Sequence, residues 1–528
     1  MVMTAASSAQ PRTVRFLRNV LWSWMGVAFA MFAGLILSPF MIRRLGEEGY
    51  GIWALVFALI DYYDILDFGF RSAVVKYTAH YRATGELDQV NTVINTALVY
   101  FSLIGALVLL VTVLVFRSLH NLFQITLAYQ PQFAALILLV GISWALGAVC
   151  HSFSASLEGF QRYDLYNRTW ILYNGVRAIG CAVVLLLGYG LVPLGMTVVA
   201  SQVMLYAINY RNFRKVVPGY RFDPRGASRA MLARLFNYGK HTFLANSSWQ
   251  VVSQGPAVLI GHFLPAAFVG YYAVPSRLIQ ISVNATDSVI SVSGSQTAEL
   301  TAKDEVQTIP LLGLLVNRYC LMIFMPIAVI LALYRNEIIE TWIRNPVYVM
   351  YSAPLLPILL LGAIFVLVGQ VNTPAILYGL GKHQGYARGL VVEACLSAAL
   401  LAYTIPRYGI PGAACVAVAL MILDRGIYTP WYLCRVLRFP YARYMTEIYT
   451  RPLLAALPVI AVAYGLKATV LPGRSLLEIA VAAMFAAAAG WGPGAFLVLE
   501  REHRSLLIGQ MASLTAWLTG VFRRQPAS

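Results

Sequence analysis

The stretch LGEEGYGIWALVFALIDYYDILDFGF, residues 45–70, carries Asp61, Asp64 and Asp67 inside an apolar run, and Arg71 follows at once. At 100° per residue these four side chains fall within one arc of about 120°, so one side of a helix would hold them all. Asp67 and Arg71 stand at i,i+4, close enough to interact on a helix. Gly69 gives that helix a place to bend. A charge at a bilayer centre costs about 2.5–3.5 kcal/mol on insertion scales. Four together are therefore either ion-paired residues near a membrane surface or the wall of a polar cavity, and the sequence leaves both open.

Other charges lie in apolar surroundings: Arg177, Arg277, Asp287, Glu393 and the pair Asp424–Arg425. Arg177 has no acid within four residues. Guanidinium binds phosphate through a planar two-pronged fork, so Arg177 and Arg277 are candidate ligands for an anionic headgroup. Asp287, Glu393 and Asp424 are candidate sites for ion coupling, with structural pairing as the competing role. No catalytic residue, cofactor site or metal site emerges. There is no Walker-type phosphate loop and no HExxH, and the seven histidines are scattered. The chain reads as a non-enzyme.

The elements that must carry these charges follow from composition. Of 528 residues, 59% are hydrophobic and only 12% charged, against about 25% charged in soluble domains. A membrane-spanning helix needs about 20 mostly apolar residues. Spans are expected at 20–42, 51–79, 93–116, 132–155, 169–188, 191–210, 241–262, 267–298, 310–333, 352–380, 386–405, 411–434, 452–471 and 475–499. The fold class is an all-α integral membrane protein of about 14 transmembrane helices. Long non-alternating apolar runs exclude a closed β-barrel. All six cysteines fall within or at the ends of spans, with no CxxC pair, which implies buried thiols and no disulfide framework.

The net charge is +17, and its distribution argues for membrane orientation over nucleic-acid binding. With the N-terminus placed in the cytoplasm, most Lys and Arg collect in cytoplasmic loops, as the positive-inside rule requires. Residues 1–19 then form a cytoplasmic tail and 211–240 a basic cytoplasmic linker. Within that linker, RAMLARLFNYGK reads as a short amphipathic helix at the interface. Residues 501–528 form a second cytoplasmic tail. External loops are short.

An internal repeat divides the rest. LGEEGYGIWAL from Leu45 aligns with LPAAFVGYYAV from Leu264, LEGFQRY from Leu157 with LYGLGKH from Leu377, and GYGLVPLG with RYGIPGA, all at an offset of about 219. Asp287 falls on Asp67 at nearly the same offset. The expected organisation is an N-lobe at 20–210, a C-lobe at 241–434, and two further helices at 435–500. Six helices per repeat give both lobes one orientation, an arrangement that suits a central cavity.

With these motifs the chain resembles the polysaccharide-type flippases of the multidrug/oligosaccharidyl-lipid/polysaccharide (MOP) exporter superfamily. The likeness rests on Ser38–Pro39 in the first span, on RRLGEEGYGIWAL, on LDFGF followed by Arg71, and on EGFQRY at 158–163. It implies export of polyprenyl-diphosphate-linked oligosaccharide repeat units across a bacterial cytoplasmic (inner) membrane by alternating access. On that expectation Arg177, Arg277, Asp61, Asp64, Asp67 and Arg71 line the substrate cavity. The implied partners are the lipid-linked oligosaccharide, membrane lipids and a polysaccharide polymerase with its export machinery, and no nucleic acid. Two rivals stand beside it: a cation-coupled multidrug exporter of the same superfamily, and a membrane polysaccharide polymerase or ligase.

Overall fold

The computed structural model describes residues 12–286, 296–297, 299–301, 303–500 and 504–505, with the side chains at 12–33, 119–121, 224, 240–242 and 371 excepted. Asp287 lies outside the described residues. Every described element is helical. Among the described residues, ten segments are long and apolar enough to cross a membrane. Two of them each join two expected crossings at a sharp bend: α1 (Arg12–Asp61) bends at Gly46, and Gln384–Met421 bends at Gly409. The protein is a multi-pass membrane protein. Its packing divides into two units, Met1–Val274 with Leu390–Ala413 and Pro275–Gly389 with Ala414–Ser528.

In the first unit the expected continuous helix over 51–79 is overturned. After α1 the chain tightens into a 3-10 turn over Tyr62–Asp67 and only then enters α2, Phe70–Thr84. Phe68 (φ 50°) and Gly69 (φ 70°) take the left-handed backbone between them. The local chemistry explains the break. Three aspartates within seven residues can compete with the helix for backbone donors. Asp67 does so: its Oδ1 accepts the backbone N–H of Arg71 at 3.3 Å, placing a carboxylate at the N-terminal, electropositive end of α2.

The first unit continues with α3 (Leu87–Leu122), α4 (Gln130–Gly159), α5 (Tyr163–Leu186), α6 (Leu191–Val216) and α7 (Arg229–Phe263), and α8 (Ala267–Asn284) runs across the division at Val274. The expected interfacial helix RAMLARLFNYGK is no separate element. It is the first third of α7, which Ser228 caps by accepting the Met231 N–H. Residues between α6 and α7 are tied to α3: Tyr220 donates to Asn95 Oδ1 at 2.9 Å, Asn95 donates to the Arg221 carbonyl at 3.0 Å, and the Ser228 N–H reaches Thr96. Burial pushes the Tyr220 hydroxyl up to about 12.

Two close backbone approaches set this unit's geometry. A Cβ on Gly69 would stand 2.7 Å from the Gly239 carbonyl oxygen, and one on Gly239 would stand 2.4 Å from that of Phe68. The turn and α7 therefore cross backbone on backbone. At the start of the two matched motifs, a Cβ on Gly51 would collide with the Ala266 carbonyl, and Tyr271 donates to Glu47. Beneath the break, one face of α2 (Phe70, Ala73, Val74, Tyr81) enters a core with Phe101, Phe153, Phe213 and Leu235, and Phe70 stacks on Tyr100 at 3.6 Å.

In the second unit, α9 (Ile309–Leu333), α10 (Arg335–Ile343), α11 (Pro346–Ser352), α12 (Leu355–Val366) and α13 (Thr373–Gly379) precede α14, the helix bent at Gly409, whose Leu390–Ala413 belongs to the first unit. Then come α15 (Thr429–Leu437), α16 (Tyr441–Thr469) and α17 (Leu476–Leu497). Two π-helical turns, Leu367–Asn372 and Ile422–Tyr428, interrupt the ladder. They meet where a Cβ on Gly369 would lie 2.0 Å from the Arg425 carbonyl. The C-terminal helices are fastened to α9 by charge. Arg318, 1% exposed, donates to Glu447 at 2.7 Å and Glu500 at 3.1 Å, and Arg451 reaches Glu447 at 3.4 Å.

Candidate functional site

The broken segment 61–71 gathers the polar groups of the first unit. Each carboxylate has its own partner. Asp61 Oδ2 accepts from Gln254 Nε2 on α7 at 2.9 Å. Asp64 Oδ1 accepts from the indole N–H of Trp144 on α4 at 3.2 Å. Asp67 receives the Arg71 backbone N–H. Between them, Tyr63 and Thr112 hydroxyls lie 2.7 Å apart. Thr112 donates to the Val108 carbonyl, which leaves Tyr63 to donate to Thr112. Tyr100 donates to the Leu66 carbonyl at 3.1 Å. No residue of the 3-10 turn is fully buried. In a 3-10 helix side chains at i and i+3 eclipse, and the aspartates recur at that spacing. The helical frame here differs from the sequence expectation.

Arg71 is the cationic end of this row. The sequence pairs it with Asp67 through side chains, and the structure corrects the partner. Arg71 Nη2 donates to Glu158 Oε1 at 2.5 Å and to the Tyr166 hydroxyl at 3.1 Å, with the guanidinium 5.6 Å from the Tyr166 ring centre. Glu158 ends α4 and Tyr166 begins α5. Nη1 and Nε of Arg71 donate to no described atom. A guanidinium held in place by one nitrogen, with two others free, is preorganised to grip an oxyanion bidentately.

The surrounding contacts make that position stiff. Arg82 of α2 donates to the Phe160 carbonyl at 2.6 Å. Arg162 clasps Asp164 at 2.9 and 3.0 Å. Gly159 lets α4 close on α2, since a Cβ there would stand 2.8 Å from Thr78 Cβ. The LDFGF–Arg71 and EGFQRY motifs thus lock onto each other. Glu158 and Tyr166 were not singled out in the sequence, although Glu158 opens a motif that was.

The remaining candidates disperse. Arg177 sits on α5 and is satisfied by its own helix, donating to Tyr173 and Asn174 at 3.3 Å each and lying 5.2 Å from the Tyr173 ring. Arg277 is exposed on α8 and makes no side-chain bond to any described residue. Glu393 is 3% exposed on α14. Asp424, 6% exposed, sits in a π-helical turn and accepts from the Thr429 hydroxyl at 3.3 Å. Beside it Arg425 donates to Gln370 on the facing turn. Buried Arg318, paired with the partly exposed carboxylates of Glu447 and Glu500, is a charge cluster that the sequence reading does not single out.

Solved structures share this multi-pass helical fold. The lipid II flippase MurJ in its inward closed conformation superposes with a TM-score of 0.67 at 15% identity, over 89% of this chain and 98% of that one. An inward-facing multidrug resistance MATE family transporter of the MOP superfamily gives 0.62 at 13% identity, over 79% and 99%. At these identities the likeness establishes the MOP fold. The chain belongs to the polysaccharide biosynthesis protein family, which matches residues 16–295. Among curated relatives, the "Putative O-antigen transporter" of Shigella flexneri is 24% identical over 416 residues, 77% of this chain and 95% of the relative. An uncharacterized membrane protein of Methanocaldococcus jannaschii is 24% identical over 404 residues, 72% of this chain and 77% of the relative.

Proposed function

We propose that the protein is a flippase. It carries polyprenyl-diphosphate-linked oligosaccharide repeat units from the cytoplasmic to the outer leaflet of a bacterial inner membrane, for surface polysaccharide synthesis. The observation that carries this reading is Arg71, held by Glu158 and Tyr166 with two donor nitrogens free. A diphosphate needs such a fork, and the polyprenyl tail can stay in lipid while the headgroup crosses. Family membership and the O-antigen relative support the same substrate class. Transport proceeds by alternating access, with both termini cytoplasmic. Arg177 and Arg277 are secondary cationic contacts, and the carboxylates at 61, 64 and 67 line the same path. Buried Glu393 and Asp424, with Asp287, are the coupling candidates. The chain carries out no covalent chemistry in this scheme.

The test is a deletion strain complemented with Arg71→Ala. Complete lipid-linked repeat units confined to the cytoplasmic leaflet, with the variant protein at normal abundance, support the proposal. Units appearing on the outer leaflet at the wild-type rate refute it. A second reading draws on the three carboxylates, which suit an organic cation: export of cationic drugs. It requires the deletion strain to gain drug sensitivity with no change in lipid-linked intermediates.

A further inference from the structure

The two motifs at the start of the internal repeat touch each other. A Cβ on Gly51 would collide with the Ala266 carbonyl, and Tyr271 donates to Glu47. At the repeat offset of about 219, Ala266 aligns with Glu47 and Tyr271 with Ile52. Each motif therefore sets its own position 47 against position 51 or 52 of the other. Such reciprocity is what a two-fold axis produces, so the two repeats meet here across their common axis.

The turn between α3 and α4 fastens this contact from the side. The Gln124 N–H donates to the Gly261 carbonyl at 3.2 Å, the Gln124 carbonyl accepts the Ala266 N–H at 3.2 Å, and its side-chain amide donates to the Phe263 carbonyl at 3.0 Å. His262 donates from Nδ1 to the Leu122 carbonyl at 2.6 Å. The same turn holds the bend of α1: the Thr126 N–H donates to Glu48 at 2.9 Å, and the Tyr129 hydroxyl donates to the Leu45 carbonyl at 3.3 Å. Residues 45–51, 122–129 and 261–271 thus form one closed seam.

Two features fit this seam for opening. The repeat assigns residues 241–274 to its second copy, yet by packing the chain up to Val274 belongs with the first. A segment that follows one copy in sequence and the other in packing is one whose neighbours change when the copies move. The bonds themselves are of the replaceable kind. Gln124, Leu122 and His262 are exposed, so water can take over each bond as it breaks, and the net cost of breaking it is small. Solvent-exposed backbone hydrogen bonds mark the segments that open locally. The close contact of Gly51 with Ala266 is backbone on backbone, with no interlocked side chains to drag apart.

We propose that this seam is a gate, latched by Gln124, which opens when the α7–α8 turn lifts away from the α1 bend and the α3–α4 turn. On the charge reading of the loops it lies on the face opposite the basic linker, where a transported headgroup leaves. What passes the gate rests on the flippase reading; the opening does not.

The test places spin labels on Leu122→Cys with His262→Cys in the full-length protein in nanodiscs, with Cys395→Ala and Cys415→Ala removing the exposed native thiols. Two distances are expected, a short one for the closed seam and a longer one for the open. Adding Gln124→Ala is expected to raise the open-to-closed ratio about 2- to 10-fold, the loss of one side-chain hydrogen bond. A single short distance that Gln124→Ala leaves unchanged overturns the proposal. In cells, a reducible cross-link between the same two cysteines is expected to stop lipid-linked units from reaching the outer leaflet, and reduction to restore their passage. Passage at the uncross-linked rate also overturns the gate. Two distances in a chain that moves no lipid-linked unit would keep the gate and sink the flippase reading.

Discussion

Arg71 and Glu158 are 87 positions apart in sequence and 2.5 Å apart in space. Their contact joins the start of α2 to the end of α4 and leaves the guanidinium half unused.

Arg71→Ala should lower transport about 10- to 100-fold, the worth of one charge-assisted hydrogen bond of about 1.5–3 kcal/mol. Arg71→Lys should recover only part, because an ammonium lacks the fork. Glu158→Gln should be intermediate, since it loosens the guanidinium without removing it. Leaflet-resolved assay of lipid-linked oligosaccharide in whole cells separates the three. Equal activity of Arg71→Lys and wild type would rule out bidentate recognition.

Gly69→Ala combines two costs: a left-handed alanine, about 1–2 kcal/mol, and a Cβ driven toward the Gly239 carbonyl. Gly85→Ala carries only the first, because Gly85 has the same backbone sign (φ 80°) and nothing lies within 4 Å of where its Cβ would stand. Thermal unfolding in detergent should therefore show Gly69→Ala as clearly the less stable. Equal melting temperatures would remove the close crossing as the cause.

In the Arg318 cluster the cost depends on which charge is left behind. Glu447→Gln with Glu500→Gln strands a buried guanidinium, and breaking a buried pair this way costs about 3–5 kcal/mol. Arg318→Met removes the buried charge and leaves carboxylates with side chains 32% and 46% exposed, so it should cost less. Limited proteolysis of α16 and α17 would rank them. The reverse order would mean that the carboxylates, not the arginine, are the desolvated partners.

Cys395 and Cys415 are exposed on α14, while Cys181, Cys320 and Cys434 are buried. If the exposed pair faces lipid, neither a membrane-permeant nor a charged maleimide should label them in intact membranes, because maleimide adds to the thiolate and a thiol in hydrocarbon stays protonated. All six should label after denaturation. Labelling of Cys395 by the charged reagent would place that surface in water.

Much of this was legible because the membrane makes composition speak. The spans outside 51–79 and 241–298, the absence of strands among described residues and the bends at Gly46 and Gly409 follow from apolar runs punctuated by glycine. The break at 62–69 was half legible. Gly69 marked it, but the 100° period assumed for the aspartates belongs to an α-helix that does not continue there. Arg71's partner was not legible, since nothing local couples a residue to one 87 positions away. The π-helical turns were hidden as well: their sequences, LVGQVN and ILDRGIY, carry no periodic mark of one extra residue per turn.

The crossing of Gly69 and Gly239 has a consequence for anyone wishing to re-tool this protein. Every side chain that lines the broken turn offers chemistry that can be exchanged for other chemistry, charge for charge or ring for ring. These two positions offer none. What they contribute is the absence of a carbon atom, and a vacancy has no conservative replacement. A mutational library spanning the first unit should therefore show Gly69 and Gly239, like Gly51, intolerant of every side chain whatever its chemistry.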